Sequence, residues 1–271
     1  MNIEEASSFS RIRKRDICIS SDDVMQRICF QKSDSLLDIC CGSGELTKQI
    51  TANAKIKSAT AFDINPKMVD IAKSINSADN ITYFVADAGN AETYKPEWID
   101  SFDKALAFYA LHWIPNWSDT MRYMYKCLKP GGECYINIEV DHKPHYISII
   151  NDAVDELSKY HRYFKVYSHN HYPFQGNEKD FVDAIRKAGF VDVHVDVDRS
   201  FPYYASDNDI ENKTFLLGFL PQMQYIPYNL KDEFLEDVYQ KIKTKRDKTE
   251  DGNPMWKQTV YVGTARKAYI D

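Results

Sequence analysis

The chain has 271 residues, 44% of them apolar, and a formal charge of −6. It can bury a substantial core and lacks the concentrated basic surface that a nucleic-acid ligand demands. No apolar run reaches the ~20 residues that cross a bilayer, and the first fifteen residues are polar and charged, so the expectation is a cytoplasmic protein without a membrane span or signal peptide.

In chain order, a basic cluster at Arg11 to Arg15 comes first, matched later by one at Lys241 to Lys248. Both are interrupted by apolar or acidic residues and read as solvated helix faces. The apolar run Ser35 to Cys40 predicts a buried strand, and the stretch L-L-D-I-C-C-G-S-G-E-L from Leu36 to Leu46 joins it to a glycine turn that opens a helix. Such a turn sits at the carboxyl end of its strand, where open α/β sheets bind ligands. Thr47 stands where the third glycine of a dinucleotide fingerprint would fall, so a nucleotide-like cofactor without a diphosphate fits better. An ordinary strand-to-helix loop is the plain alternative. A second apolar run, Ser58 to Ile64, carries Asp63 roughly 20 residues beyond Gly42, the interval at which an acidic residue holds ribose hydroxyls. A third, Ile81 to Ala86, ends at Asp87, placed for the adenine edge. Either carboxylate alone could simply cap a helix.

Helical patterns follow at Glu45 to Thr51, Pro66 to Ser77 and Asp119 to Leu128, with strands at Phe102 to Ala107 and Glu133 to Val140 and a turn at Lys129-Pro-Gly-Gly132. Further helices are expected over Tyr146 to Tyr160 and Glu178 to Ala188, and final strands over Val191 to Val197 and Lys257 to Ala265. Seven strands alternating with helices predict a doubly wound, Rossmann-like α/β sheet. Ser206 to Lys245 is an insertion of helical character, rich in Phe215, Leu216, Leu217, Phe219, Leu220, Met223, Tyr225 and Tyr228; such a run is either structural core or the wall of a hydrophobic pocket. His169 and His171 could share one strand face, yet no carboxylate or cysteine nearby in the sequence completes a ligand set, so no metal is expected.

With Asp38, Gly42 and Gly44 in the glycine motif, Asp63 after the second strand and Asp87 after the third, the chain resembles the class I methyltransferases that use S-adenosylmethionine. The resemblance implies that sheet with helical substrate-capping insertions, and a cofactor site formed by Asp38, Cys40, Gly42, Gly44, Asp63, Ile64, Asp87 and Ala88. The segment F-Y-A-L-H-W-I at 108 to 114, K-R-D at 14 to 16, K-A-G-F at 187 to 190 and V-Y-x-x-x-A-R-K at 260 to 267 are similar to those of the juvenile hormone acid methyltransferases. That implies methyl transfer to the carboxylate of an apolar acid of the farnesoic, juvenile hormone or fatty acid type. Trp113 matches the family's tryptophan beside the acid, and Arg13 stands at its glutamine position, where an arginine can pair bidentately with a carboxylate. His112 or Trp113 would hold the acid by an N–H donor, with Tyr109 and Arg15 as further substrate contacts.

One methyltransferase domain over 1–271 is expected, with an amino-terminal lid over 1–30, a cofactor core over 31–140, substrate-capping elements over 141–250 and a final strand and tail over 251–271. A carboxylate is already ionised at neutral pH, so no general base is needed. A phenol, amine or thiol acceptor would need one, with His112 available, and a catalytically silent carrier would bind without turnover. The expected partner is the small acid, with a homodimer left open.

Overall fold

The computed structural model describes residues 21–141, 146–164, 171–198, 203–204, 209–217, 220–248, 254–256 and 259–269. Strands β1 (Ser35–Ile39), β2 (Ser58–Asp63), β3 (Ile81–Val85), β4 (Phe102–Ala107) and β5 (Leu128–Glu139) run parallel. Strand β6 (Val191–Asp198) and the last strand, β7 (Val260–Arg266), complete a seven-stranded sheet in the order β3-β2-β1-β4-β5-β7-β6, with β7 antiparallel to both neighbours. The doubly wound sheet expected from the strand-helix alternation is therefore present, and its last two members are the antiparallel pair.

Side-chain alternation along the buried strands distributes the core to both faces of the sheet. Leu37 and Ile39 face one layer with Phe62, Ala105 and Ile136. That layer includes Met121 and Met124 of helix α3 (Trp117–Cys127) and Phe181 and Ile185 of helix α5 (Glu178–Lys187). Leu36 faces the other layer with Ile50 of α1 (Glu45–Ala54) and Val69 and Ala72 of α2 (Pro66–Ile75). Because α1 and α2 cover one face and α3 the other, the strand order reverses between β1 and β4 and opens a crevice at their carboxyl ends.

Contacts divide the described residues into two compact units, those of 21–140, 171–198 and 260–269, and those within 141–164 and 203–259. The first holds the seven-stranded sheet. The second has its own core, in which α4 (Tyr146–Asp155), α6 (Asp209–Leu217) and α7 (Lys231–Lys243) contribute Ile150, Leu216, Phe234 and Val238. Leu216 and Leu220 are each 1% exposed within it, so for these two members of the insertion the core reading holds. Phe215 and Phe219 lie outside the described side chains. The basic cluster after Lys241 is answered by acids: Lys241 and Lys245 by Glu156, and Lys243 by Asp209.

Three expected boundaries shift. The helix from Tyr146 stops at Asp155, because Leu157 takes a non-helical ψ of 64° and a single tight turn, Ser158–Tyr160, follows. Lys129 to Gly132 lies inside β5 rather than before it, and the pairing with β4 jumps there from Phe102↔Leu128 to Lys104↔Glu133, with Gly131 at φ +79°. The final strand begins at Val260 instead of Lys257. The five described cysteines are free thiols. No described helix is long and apolar enough to cross a membrane.

Candidate active site

The glycine turn owes its shape to left-handed backbone at three positions: Cys40 (φ +59°), Gly42 (φ +56°) and Gly44 (φ +82°). Gly44 caps α1 and packs on Tyr83, whose hydroxyl donates to the Asn76 carbonyl at 2.8 Å. Cys40 holds such a conformation with a side chain, at a cost of roughly 1–2 kcal/mol relative to glycine.

Asp63 reaches back to this turn. Its Oδ2 accepts from the Gly42 N–H at 3.0 Å and its Oδ1 from the Asn65 N–H at 2.8 Å. Asn65, not Asp63, caps α2, accepting from the Lys67 N–H. A carboxylate offers about four acceptor positions, so Asp63 can still receive two hydroxyls. Burial raises its pKa despite the opposing amide bonds. Ile64, directly after it, is 60% exposed, an apolar surface beside the carboxylate. Asp87 Oδ1 accepts from the Gly89 N–H at 2.8 Å, a local turn, and Ala88 is buried with its carbonyl accepting from Tyr94 and Thr120.

Asp38 is 2% exposed and accepts from the Thr47 hydroxyl at 2.5 Å. Burial pushes its carboxyl up to about 7, Thr47 opposes the rise, and the neighbouring Asp63 charge adds to it. The folded state therefore retains a proton that the unfolded chain releases near pH 4, so stability falls as pH rises from about 4 to about 7. The difference amounts to about 4 kcal/mol at most. Urea denaturation across this range should show Asp38→Asn, which keeps an acceptor for Thr47, with a shallower pH dependence than the parent chain.

After β4, Tyr109 adopts φ +50° and its N–H donates to Asn137 Oδ1 at 2.5 Å. Asn137 is fully buried on β5, and its Nδ2 has no hydrogen-bond partner among the described residues. Since the Tyr109 amide fixes which end is oxygen, this is a buried donor, the kind of group a ligand satisfies. Leu111 and Ile114 sit in the core, as their apolar character suggests, whereas Trp113 between them is 41% exposed.

His112 is 1% exposed and turns away from solvent, its Nε2 3.4 Å from Glu139 Oε1 at the end of β5. The other oxygen of Glu139 lies 2.8 Å from His171 Nε2. The backbone brings these residues together: the Tyr172 N–H donates to the His112 carbonyl at 2.6 Å, the Phe174 N–H to that of Glu139 at 2.7 Å, and Val140 bridges to Phe174. The expectation that no carboxylate stands near His171 is thus corrected. Glu139 is 32 residues away in sequence and is delivered by the sheet. Sequence inspection also misses Asn137, which reads as one more member of an apolar strand. Arg13, Arg15 and His169 lie outside the described residues.

A family model described as a methyltransferase domain matches residues 9–195. The chain belongs to the class I methyltransferase family. Protein 235L of Invertebrate iridescent virus 6, whose name describes it as a methyltransferase, is 24% identical over 214 residues, 79% of this chain and 67% of that protein. The malonyl-[acyl-carrier protein] O-methyltransferase of Halalkalibacterium halodurans is 25% identical over 111 residues, and this match covers only 41% of either chain. Among solved structures, Haemonchus contortus phosphoethanolamine N-methyltransferase 2 in complex with S-adenosyl-L-methionine superposes with a TM-score of 0.59 at 16% identity, over 97% of this methyltransferase and 56% of that chain. At that identity the likeness is one of fold.

Proposed function

We propose that this methyltransferase binds S-adenosylmethionine and esterifies the carboxylate of a small apolar acid of the farnesoic, juvenile hormone or fatty acid type. The observation that supports the acceptor reading is the exposure of Trp113, which follows β4 within an otherwise buried segment. Its indole is an apolar wall with one N–H donor.

The residues fit the cofactor. A Cβ placed at Gly42 would meet nothing within 4 Å, so the turn leaves room against its backbone. Asp63 keeps acceptors for a ribose, Ile64 offers a face for a base, and Asn137 holds a buried donor. When bound, S-adenosylmethionine supplies an electrophilic methyl group on sulfur. The chain has then to align the acid and exclude water, which the aromatic side chains of Tyr109 and Trp113 do without moving a proton. Arg13 and Arg15 are proposed as additional anion contacts.

A second reading has its own observation. The pair His171 and Glu139 at 2.8 Å is an imidazole oriented by a carboxylate, the arrangement that would deprotonate a phenol, alcohol or amine. Tritiated methyl transfer into organic-extractable product, measured on long-chain acids, their methyl esters and phenols, separates the two. A carboxylate acceptor is ionised throughout, so its rate should be flat from pH 6 to 8, and the ester should be inert. Turnover confined to phenols or amines, with a rate rising as the base deprotonates, would replace the first reading by the second. Cofactor binding without any turnover would leave a silent binder.

A further inference from the structure

We propose that His112, Glu139 and His171 form a binding site for one divalent transition-metal ion of the zinc class. The inference is compatible with a carboxylate acceptor and excludes the base reading, because a metal-coordinated His171 cannot also take a proton from the acceptor.

Each residue offers one ligand atom, and the three atoms lie within 4.8 Å of one another. His171 Nε2 stands 2.8 Å from one Glu139 oxygen and His112 Nε2 3.4 Å from the other. Ligands placed 2.0–2.1 Å from a tetrahedral ion stand about 3.3 Å apart, so small side-chain adjustments would close the three around an ion. Two imidazoles and one carboxylate are the donor set of catalytic zinc and of related transition-metal centres, and three protein ligands leave a coordination position for water or a substrate oxygen. Magnesium and calcium are disfavoured, since they prefer an all-oxygen shell.

The site is also built. His112 and Glu139 are each 1% exposed and His171 9%. A carboxylate this far removed from water is held by charged or hydrogen-bonded neighbours, and a cation between the two rings would add to them. The ligands come from three segments that the fold fixes independently: the tight turn Leu111–Trp113, the end of β5, and the strand-like stretch tied by the Tyr172 and Phe174 amides. Ring packing of His112 on His171 at 5.5 Å and of Trp113 on His171 at 5.1 Å restrains both imidazoles.

One contact sets an order among the ligands. The Glu139 N–H points at His112 Nδ1 from 3.4 Å, which favours a proton on Nε2. Coordination through Nε2 moves that proton to Nδ1, toward the amide, so this ring must shift on binding and makes the weakest of the three bonds. His171 and Glu139 dominate the affinity.

The test uses the full chain, stripped with a chelator and titrated with Zn²⁺ by equilibrium dialysis, with Co²⁺ absorption as the report on geometry. The expected result is one ion per chain and visible d–d bands of a low-coordinate Co²⁺ site. Glu139→Gln and His171→Ala should weaken binding by more than about 100-fold, beyond the usual penalty for losing an outer-shell partner. His112→Ala should cost less than either, and His194→Ala, on the exposed side of β6, should change nothing. Absence of stoichiometric Zn²⁺ on the unaltered chain would overturn the proposal. So would affinity that survives Glu139→Gln, an isosteric change, in protein shown by circular dichroism to be folded.

Discussion

Asp63→Ala should raise the dissociation constant for S-adenosylhomocysteine about 100-fold in isothermal titration calorimetry, while Trp113→Ala should leave it within a factor of about three and depress methyl transfer instead. The first figure follows from two hydroxyl bonds to a charged acceptor at ~1.5 kcal/mol each, with 1.4 kcal/mol per tenfold. The Gly42 and Asn65 amides hold both oxygens of Asp63 in place before any ligand arrives, so little ordering cost offsets those bonds. The alanine variant also leaves the Gly42 N–H without its acceptor, adding a loosened turn to the lost contacts. Equal loss of cofactor affinity in the two variants would contradict the division between a cofactor carboxylate at the end of β2 and an acceptor wall after β4.

The legible part of this molecule was the part written locally. The run from Leu36 to Leu46 contains its strand, its turn and its helix start within eleven consecutive positions, and Asp63 and Asp87 each close a strand whose apolar run announces it. The doubly wound order then follows from strand-helix alternation. Segments that looked like marks of a substrate carry a different message in three dimensions. Gly189 of K-A-G-F ends α5 at φ +110° against Tyr125, and Phe190 is core. V-Y-x-x-x-A-R-K is β7 itself, its lysine paired with Asp100. Both explain why the chain folds as this family does, and neither bears on the identity of the methyl acceptor. The cluster of His112, Glu139 and His171 was illegible for the opposite reason. Its members occupy three segments with no shared periodicity, and Glu139 ends an apolar strand where an acidic residue reads as the first exposed position. Only the crossing of β5 by the stretch before Phe174 makes it a buried neighbour of two histidines. The short strands Tyr203–Tyr204, Asp247–Lys248 and Pro254–Trp256 escaped notice because two or three residues cannot display alternation.

Replacing either glycine of the turn by alanine should separate stability from binding. At Gly44 the backbone sits at φ +82°, and a Cβ would fall 2.7 Å from the Tyr83 hydroxyl oxygen and 2.9 Å from two ring carbons. Tyr83 cannot yield easily, being 4% exposed and tied to the Asn76 carbonyl. Left-handed strain of ~1–2 kcal/mol and overpacking of ~1–3 kcal/mol give Gly44→Ala a destabilisation of about 2–5 kcal/mol. That corresponds to a melting temperature lowered by roughly 10 °C for a chain of this size. Gly42→Ala faces the milder half of this: the backbone at φ +56° still costs about 1 kcal/mol, but its Cβ meets nothing within 4 Å. The methyl group would instead project into the space assigned to the cofactor, so calorimetric affinity for S-adenosylhomocysteine should drop at least about tenfold with only a few degrees lost in melting temperature. If Gly42→Ala bound the ligand normally, the open face of that glycine would not be where the cofactor lies, and the turn would be a structural strand-to-helix connection after all.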